Sequence, residues 1–316
     1  MSNLAERILA GDIRAASRLM RDIDDRIPTT LQTLEELYPK TGRAYIIGIT
    51  GPPGSGKSTI VDKMVDSFRN ERKTVGVVAV DPSSPFTGGA ILGDRIRMQR
   101  HATDEGVFIR SLATRGCLGG LSRSTQDVVN VMDAMGKEII LVETVGVGQD
   151  EVEIVNTAHT SIVVLVPGMG DDIQAIKAGI IEIGDLFVIN KCDRGGAERM
   201  ERDLRMALEM SKKREDGWEP PIYKTEAILG KGISELVSAI DRHKEALEKS
   251  QGLAKKLRER ARSTFLEILQ NETIAHFMEE IEKKGDWEGM IDDLTNRRTD
   301  PYSLVKKIMA EHMKAY

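Results

Sequence analysis

The sequence predicts an α/β fold, a mainly parallel sheet wrapped by helices, with helical extensions at its N- and C-terminal ends. Strand-like and helix-like segments alternate from Arg43 to about Ser250, and several strand candidates, such as Val77-Val78-Ala79-Val80 and Ile162-Val163-Val164-Leu165-Val166, are unbroken apolar runs. Such runs are how strands buried on both faces read. A glycine-rich loop stands between one of these strands and a helical pattern, in the order that parallel nucleotide-binding sheets use. Outside residues 43–250 the strand rhythm stops.

In chain order, Leu4, Ile8 and Leu9, then Ala15, Leu19 and Ile23, keep helical apolar spacing. Asp12 is placed to cap a second helix beginning near Arg14, and Pro28 breaks the pattern before a further helix over 29–38. Strands are expected at 44–49, 75–80, 107–110, 138–143, 161–166, 185–189 and 222–225. Beyond Ser250 the chain is rich in Lys, Arg and Glu and carries helical apolar sets, Phe265, Ile268 and Leu269, then Ile274, Met278 and Ile281. A last helix starts after Thr299-Asp300-Pro301, a favourable start signal. The expected division is 1–42 for an N-terminal helical extension, 43–250 for the nucleotide domain and 251–316 for a C-terminal helical arm.

The glycine-rich loop is Gly51, Pro52, Pro53, Gly54, Ser55, Gly56, Lys57, Ser58 and Thr59. It fits G-x-x-x-x-G-K-[ST], a P-loop. Its glycines let the backbone approach phosphates closely, and successive N–H groups form an anion cradle aimed by the following helix. The pattern places Lys57 on the β- and γ-phosphates and the Ser58 hydroxyl on Mg²⁺. Asn190-Lys191-Cys192-Asp193 follows the strand at 185–189 and matches the N-K-x-D guanine signature, whose Asp accepts from the guanine N1–H and exocyclic amine. A carboxylate left unpaired penalises the wrong base, so the nucleotide expected is GTP, with GDP as product. Glu226, Ala227 and Ile228 stand where a backbone N–H meets guanine O6, with Glu226 in place of the more usual Ser.

Phosphate chemistry also needs a metal, a γ-phosphate sensor and a positioned water. Asp81, Asp94 and Glu143 lie at or near strand ends and join Ser58 as Mg²⁺ candidates. Glu143-Thr144-Val145-Gly146 occupies the place of the D-x-x-G switch, with Glu for Asp and with the Gly146 N–H reading the γ-phosphate. Val147 follows where Ras-like GTPases place a water-orienting Gln. Hydrolysis by the isolated chain is therefore expected to be slow unless Gln149, Asp150 or a partner completes the site. The loops 81–89 and 167–172 have the composition of segments that change with the γ-phosphate.

Composition restricts the wider setting. The chain has 316 residues, 30% of them charged, a net charge of −5 and interspersed signs, which leaves no footprint for nucleic acid or an anionic membrane. Its two cysteines, Cys117 and Cys192, lack Cys-x-x-Cys spacing and fit a reducing cytoplasm. No apolar stretch reaches the roughly 20 residues of a membrane span, and the first residues lack the apolar core of a secretion signal.

With these residues the chain resembles the MeaB/ArgK family of methylmalonyl-CoA mutase-associated P-loop GTPases. The matching segments are 51–59, Val80-Asp81-Pro82-Ser83-Ser84-Pro85 on through Gly88-Gly89-Ala90-Ile91-Leu92-Gly93-Asp94-Arg95, Arg115-Gly116 with Leu118-Gly119-Gly120-Leu121, Glu143 to Gln149, and Asn190 to Asp193; Asp300-Pro301-Tyr302 extends the match weakly. The resemblance implies a homodimer of the SIMIBI class of P-loop proteins, with 251–316 as its dimerisation arm. It implies a chaperone of an adenosylcobalamin-dependent acyl-CoA mutase, in which GTP binding and hydrolysis gate cofactor loading and protect the mutase. In family terms Lys57, Asp81, Asp94 and Glu143 form the Mg²⁺ and phosphate site, and 168–177 is an extra switch. This chain carries no cobalamin signature of its own, so the cobalamin is expected on the partner. Competing readings are a nickel-insertion metallochaperone, which needs a Cys/His cluster that the scattered His101, His159, His243, His276 and His312 do not supply, an ArgK-like transport-associated ATPase or kinase, against which N-K-x-D argues, and a partner-binding scaffold with vestigial hydrolysis.

Overall fold

The computed structural model describes residues 2–25, 27–81, 98–101, 103–113, 123–144, 157–168, 181–211, 214, 216–284 and 287–313. The chain divides into two compact units, Met1–Leu257 and Arg258–Tyr316.

The first unit is built on seven parallel strands: β1 (Tyr45–Thr50), β2 (Val75–Asp81), β3 (Val107–Ala113), β4 (Ile139–Glu143), β5 (Thr160–Leu165), β6 (Leu186–Asn190) and β7 (Ile222–Thr225), in the order β3-β2-β4-β1-β5-β6-β7. These are the seven strands expected from the sequence. β3 continues to Ala113, three residues past its expected end, because it stays in register with β2 as far as the Asp81–Ala113 pair.

Strands β1, β4, β5 and β6 are buried along their whole length. The two-residue alternation of side chains then sends consecutive residues into separate layers. Tyr45, Ile47 and Ile49 meet α4 (Lys57–Asn70) and α7 (Ile233–Lys249), in a layer with Met64, Phe68, Leu236 and Ile240. Ile46, Ile140 and Val142 meet α5 (Arg123–Ala134) and the N-terminal helices α1 (Asn3–Leu9), α2 (Ile13–Asp24) and α3 (Thr30–Leu37). Ala5, Ile8, Leu19 and Met20 are fully or almost fully buried in this second layer, so residues 1–42 share the core of the nucleotide domain. A third cluster packs Phe187 and Ile189 against α6 (Ala197–Met210). Asp12 caps α2 as its position predicts, its Oδ1 accepting from the N–H groups of Arg14 and Ala15 at 2.9 and 3.0 Å.

At the amino edge of the sheet, opposite the glycine loop, Asp185 is buried just ahead of β6. Its carboxylate accepts from Arg214 Nη2 at 2.5 Å, from Lys256 Nζ at 3.1 Å and from the Ser161 N–H at 2.8 Å. Burial pushes this carboxyl up, but Lys256, His243 and Arg214 more than offset it, and the net shift is downward. His243 is fully buried against Trp218, with Nδ1 2.8 Å from Thr160 Oγ1. Burial is the main cause that lowers its pKa from 6.5 to about 4, against the opposing pull of Asp185.

The second unit is helical. α8 (Gly252–Lys284) begins in the first unit and carries both apolar sets read from the sequence; α9 (Trp287–Thr295) and α10 (Pro301–Met313) follow. Asp300 Oδ1 accepts from the Ser303 N–H at 2.9 Å at the start of α10. Phe265, Leu269, Ile274, Tyr302 and Val305 are exposed. Among the described residues no helix is long and apolar enough to cross a membrane.

The neutral, buried His243 makes stability pH-dependent. Its folded pKa lies below the unfolded value, so its contribution is complete above pH 6.5 and is lost as pH falls from 6.5 through about 4. Urea unfolding of the wild type should lose about 1.4 kcal/mol per pH unit more than His243→Gln across that window. Parallel slopes for the two proteins would show that His243 titrates normally.

Candidate functional site

All seven strands run the same way, so their carboxyl ends form one edge, where α/β sheets bind ligands. Thr50, Asp81, Glu143, Asn190 and Thr225 end their strands at this edge. The register sets Ile49 beside Glu143 and Asn190 beside Thr225. The glycine loop leaves the central strand β1 between β4 and β5.

The loop geometry explains its glycines at two positions. Gly51 has φ +137°, and a Cβ there would collide with the Val164 carbonyl oxygen. Gly56, the N-cap of α4, has φ +92°, and a Cβ there would strike the Asn190 amide nitrogen. Both positions need φ values that side chains disfavour, and both leave no room for one. Lys57 is buried, with Nζ donating to the carbonyls of Gly51 at 2.7 Å and Pro52 at 3.2 Å. The backbone N–H groups at the start of α4 face out of the helix end, and this end of the helix dipole favours an anion. The loop thus offers N–H donors and an ammonium to phosphate oxygens.

Ser58 Oγ donates to Glu143 Oε1 at 2.7 Å, and both side chains are buried. Beside them Thr144 Oγ1 donates to Thr50 Oγ1 at 2.9 Å. A hydroxyl and a carboxylate joined at the entry to α4 fit a hard, oxygen-seeking cation such as Mg²⁺. Asp81 ends β2, but its side chain, like the whole of Asp94, Gly146 and Gln149, lies outside the described residues. Of the two expected switch loops, residues 82–89 and 169–172 lie outside them as well. Among the described residues no three His, Cys, Asp or Glu side chains gather to hold a metal.

The N-K-x-D segment is tied to the glycine loop. Asn190 Nδ2 donates to the Ser55 carbonyl at 2.9 Å, and Lys191 Nζ to the Gly54 carbonyl at 2.7 Å. Asn190 Oδ1 accepts from Thr225 Oγ1 at 3.0 Å and from the Ala227 N–H at 3.2 Å. Lys191 sits at φ +58°, which turns the chain sharply and leaves Asp193 exposed at the strand end. The Cys192 thiol is half-buried, donates to the Ile189 carbonyl at 3.0 Å and is pushed up in pKa by burial.

The sequence marks Asn190 as a nucleotide-site residue through its place in the motif without showing what its amide holds, and it leaves the departure at Glu226 unexplained. Glu226 Oε2 accepts from Lys231 Nζ at 2.9 Å, and the Glu226 N–H donates to the Lys231 carbonyl at 3.2 Å, which closes the loop over 226–231. Ala227 is buried in that loop and Ile228 is exposed.

Asn190→Ala would leave the Ser55 carbonyl, the Thr225 hydroxyl and the Ala227 N–H without this partner in a buried setting. The variant should lose roughly 3 kcal/mol of unfolding free energy without nucleotide, measured in urea. It should also bind guanine nucleotide at least about tenfold more weakly. Wild-type behaviour in both assays would show that the latch is dispensable.

Comparison with known proteins extends this picture. A protein of Pyrococcus abyssi designated a GTPase is 50% identical over 313 residues, covering 98% of this chain and 96% of its own. A mouse mitochondrial methylmalonic aciduria type A homolog is 35% identical over 236 residues, 74% of this chain and 57% of its own. A crystal structure titled LAO/AO transport system kinase superposes with a TM-score of 0.73 at 24% identity, covering 98% of this chain and 96% of its own, which is a likeness of fold. The family model described as methylmalonyl-CoA mutase-associated GTPase MeaB matches residues 17–282. The chain belongs to the MeaB family of GTPases.

Proposed function

We propose that this chain binds GTP with Mg²⁺, hydrolyses it slowly when alone and faster with its partner, and acts as chaperone of an adenosylcobalamin-dependent acyl-CoA mutase of the methylmalonyl-CoA mutase type. In this role the nucleotide gates cofactor loading and protects the mutase from inactivation. The observation that carries the reading is the match to the mutase-associated family over residues 17–282. The glycine loop latched to N-K-x-D at one sheet edge supports the nucleotide half of it.

The roles follow from chemistry. N–H groups of residues 51–59 hold the phosphates, and Lys57 exchanges loop carbonyls for β- and γ-phosphate oxygens. Ser58 and Glu143, with Asp81 and Asp94, would hold the cation, which supplies positive charge to the phosphate oxygens. Gly146 reads the γ-phosphate and Gln149 orients the attacking water. Asp193 takes the guanine N1–H and amine, while Asn190 and Lys191 fix the loop beneath them and 226–228 borders the base. Exposed Phe265, Leu269, Ile274, Tyr302 and Val305 on the second unit suit a homodimer arm over 251–316. The setting is cytoplasmic, and the cobalamin belongs to the mutase.

GTP turnover measured alone and with a B12-dependent acyl-CoA mutase from the same source should rise severalfold with the mutase. An unchanged rate would overturn the client assignment. Asp193→Asn replaces a double acceptor with a group that also donates, which suits xanthine, so GTP should bind at least about a hundredfold more weakly and xanthosine triphosphate more tightly. Retained guanine preference would remove Asp193 from base recognition.

A further inference from the structure

The glycine loop is stapled at both ends to consecutive residues of one neighbouring strand end. Glu143 receives the hydroxyl of Ser58, near the loop's far end where α4 begins, at 2.7 Å. Thr144 donates its hydroxyl to Thr50, just before the loop, at 2.9 Å. Thr50 and Thr144 are both buried, Thr50 at the end of β1 after Ile46, Ile47 and Ile49, and Thr144 just past Glu143, which ends β4 after Ile140, Leu141 and Val142.

Packing alone does not call for a hydroxyl pair here, since valine has the same shape as threonine and suits a buried strand. The backbone already joins the two strand ends at this point, the Thr144 N–H donating to the Ile49 carbonyl at 3.1 Å. What the hydroxyl bond adds is direction. It fixes the rotation of the β4 terminus against the start of the loop, and so fixes where Glu143 aims its carboxylate relative to Ser58.

We propose that Thr144, through Thr50, is a positioning residue for the cation and phosphate site: it holds the Glu143–Ser58 pair in the geometry that accepts a divalent cation. The inference rests on the GTP and Mg²⁺ reading above. It assigns Thr144 no contact with nucleotide or cation.

The test is a Mg²⁺ titration of fluorescent GDP and GTP-analogue binding, together with thermal unfolding, in the wild type, Thr144→Val, Thr144→Ser and the double variant Thr50→Val/Thr144→Val. Thr144→Val strands the Thr50 hydroxyl in a buried site, whereas the double variant leaves no orphan and should regain wild-type thermal stability. Both should nevertheless need about fivefold more Mg²⁺ for half-maximal tightening, as loss of one directional hydrogen bond implies, and Thr144→Ser should stay within about twofold of wild type. A double variant with wild-type Mg²⁺ dependence would show that the pair serves packing alone and would overturn the proposal. So would a Thr144→Ser protein as impaired as Thr144→Val. If Thr144→Val does not fold, the serine and double variants still decide the matter. A wild type with no Mg²⁺-dependent nucleotide binding would overturn the underlying reading itself.

Discussion

The Asn190 amide, buried between the Ser55 carbonyl on one side and the Thr225 hydroxyl and Ala227 N–H on the other, is the contact on which the nucleotide edge of the sheet depends. A loop that turns N–H groups toward a ligand keeps few for itself: the Ser55 N–H donates to the Pro52 carbonyl at 3.2 Å and Lys57 grips the carbonyls of Gly51 and Pro52. Its glycines give it little stiffness, so contacts from neighbouring elements add to its shape. Asn190 supplies a donor to the Ser55 carbonyl of the loop and an acceptor to the base-proximal segment, so one side chain ties the phosphate and base halves of the site together. The close approach of Gly51 to Val164 and the grip of Lys191 on Gly54 complete that frame.

Strand β6 makes this possible because it is anchored at its other end. It is a short apolar strand, buried throughout, with an ionised Asp185 just before it and Asn190 as its last residue. A buried carboxylate is tolerated only where charge and hydrogen bonds answer it. Arg214, Lys256 and the Ser161 N–H answer this one, while Trp218 Nε1 donates to the backbone carbonyl of the same residue. Each end of β6 therefore has its polar groups engaged by several elements, and the strand has little freedom to slide. Register along β5 and β7 follows from it.

The features that could be read from the sequence were those carried by local spacing. Unbroken apolar runs gave the strands, Asp12 and Asp300 gave helix starts, and the glycine loop and N-K-x-D gave the site because each motif packs its chemistry into a few consecutive residues. Pairings across the chain left no such trace. Lys256 meets Asp185 and Thr144 meets Thr50 only because the sheet brings them together. Glu226 read as a departure from pattern until Lys231 explained it, and that pair is visible only once the intervening turn closes. The extension of β3 to Ala113 was hidden for the same reason, since its last pairs are set by β2 rather than by its own residues.

The N-terminal helices carry a consequence for how the chain is made. Ala5, Ile8, Leu19 and Met20 are synthesised well before Val128, Val129, Met132, Ile140 and Val142, which belong to the apolar layer that receives them. On a ribosome adding about 5–20 residues per second, the opening helices wait many seconds with their apolar stripe exposed before that surface emerges. These helices can therefore dock only after α5 and β4 have emerged, so a nascent chain stalled before α5 carries an apolar face with nothing to cover it.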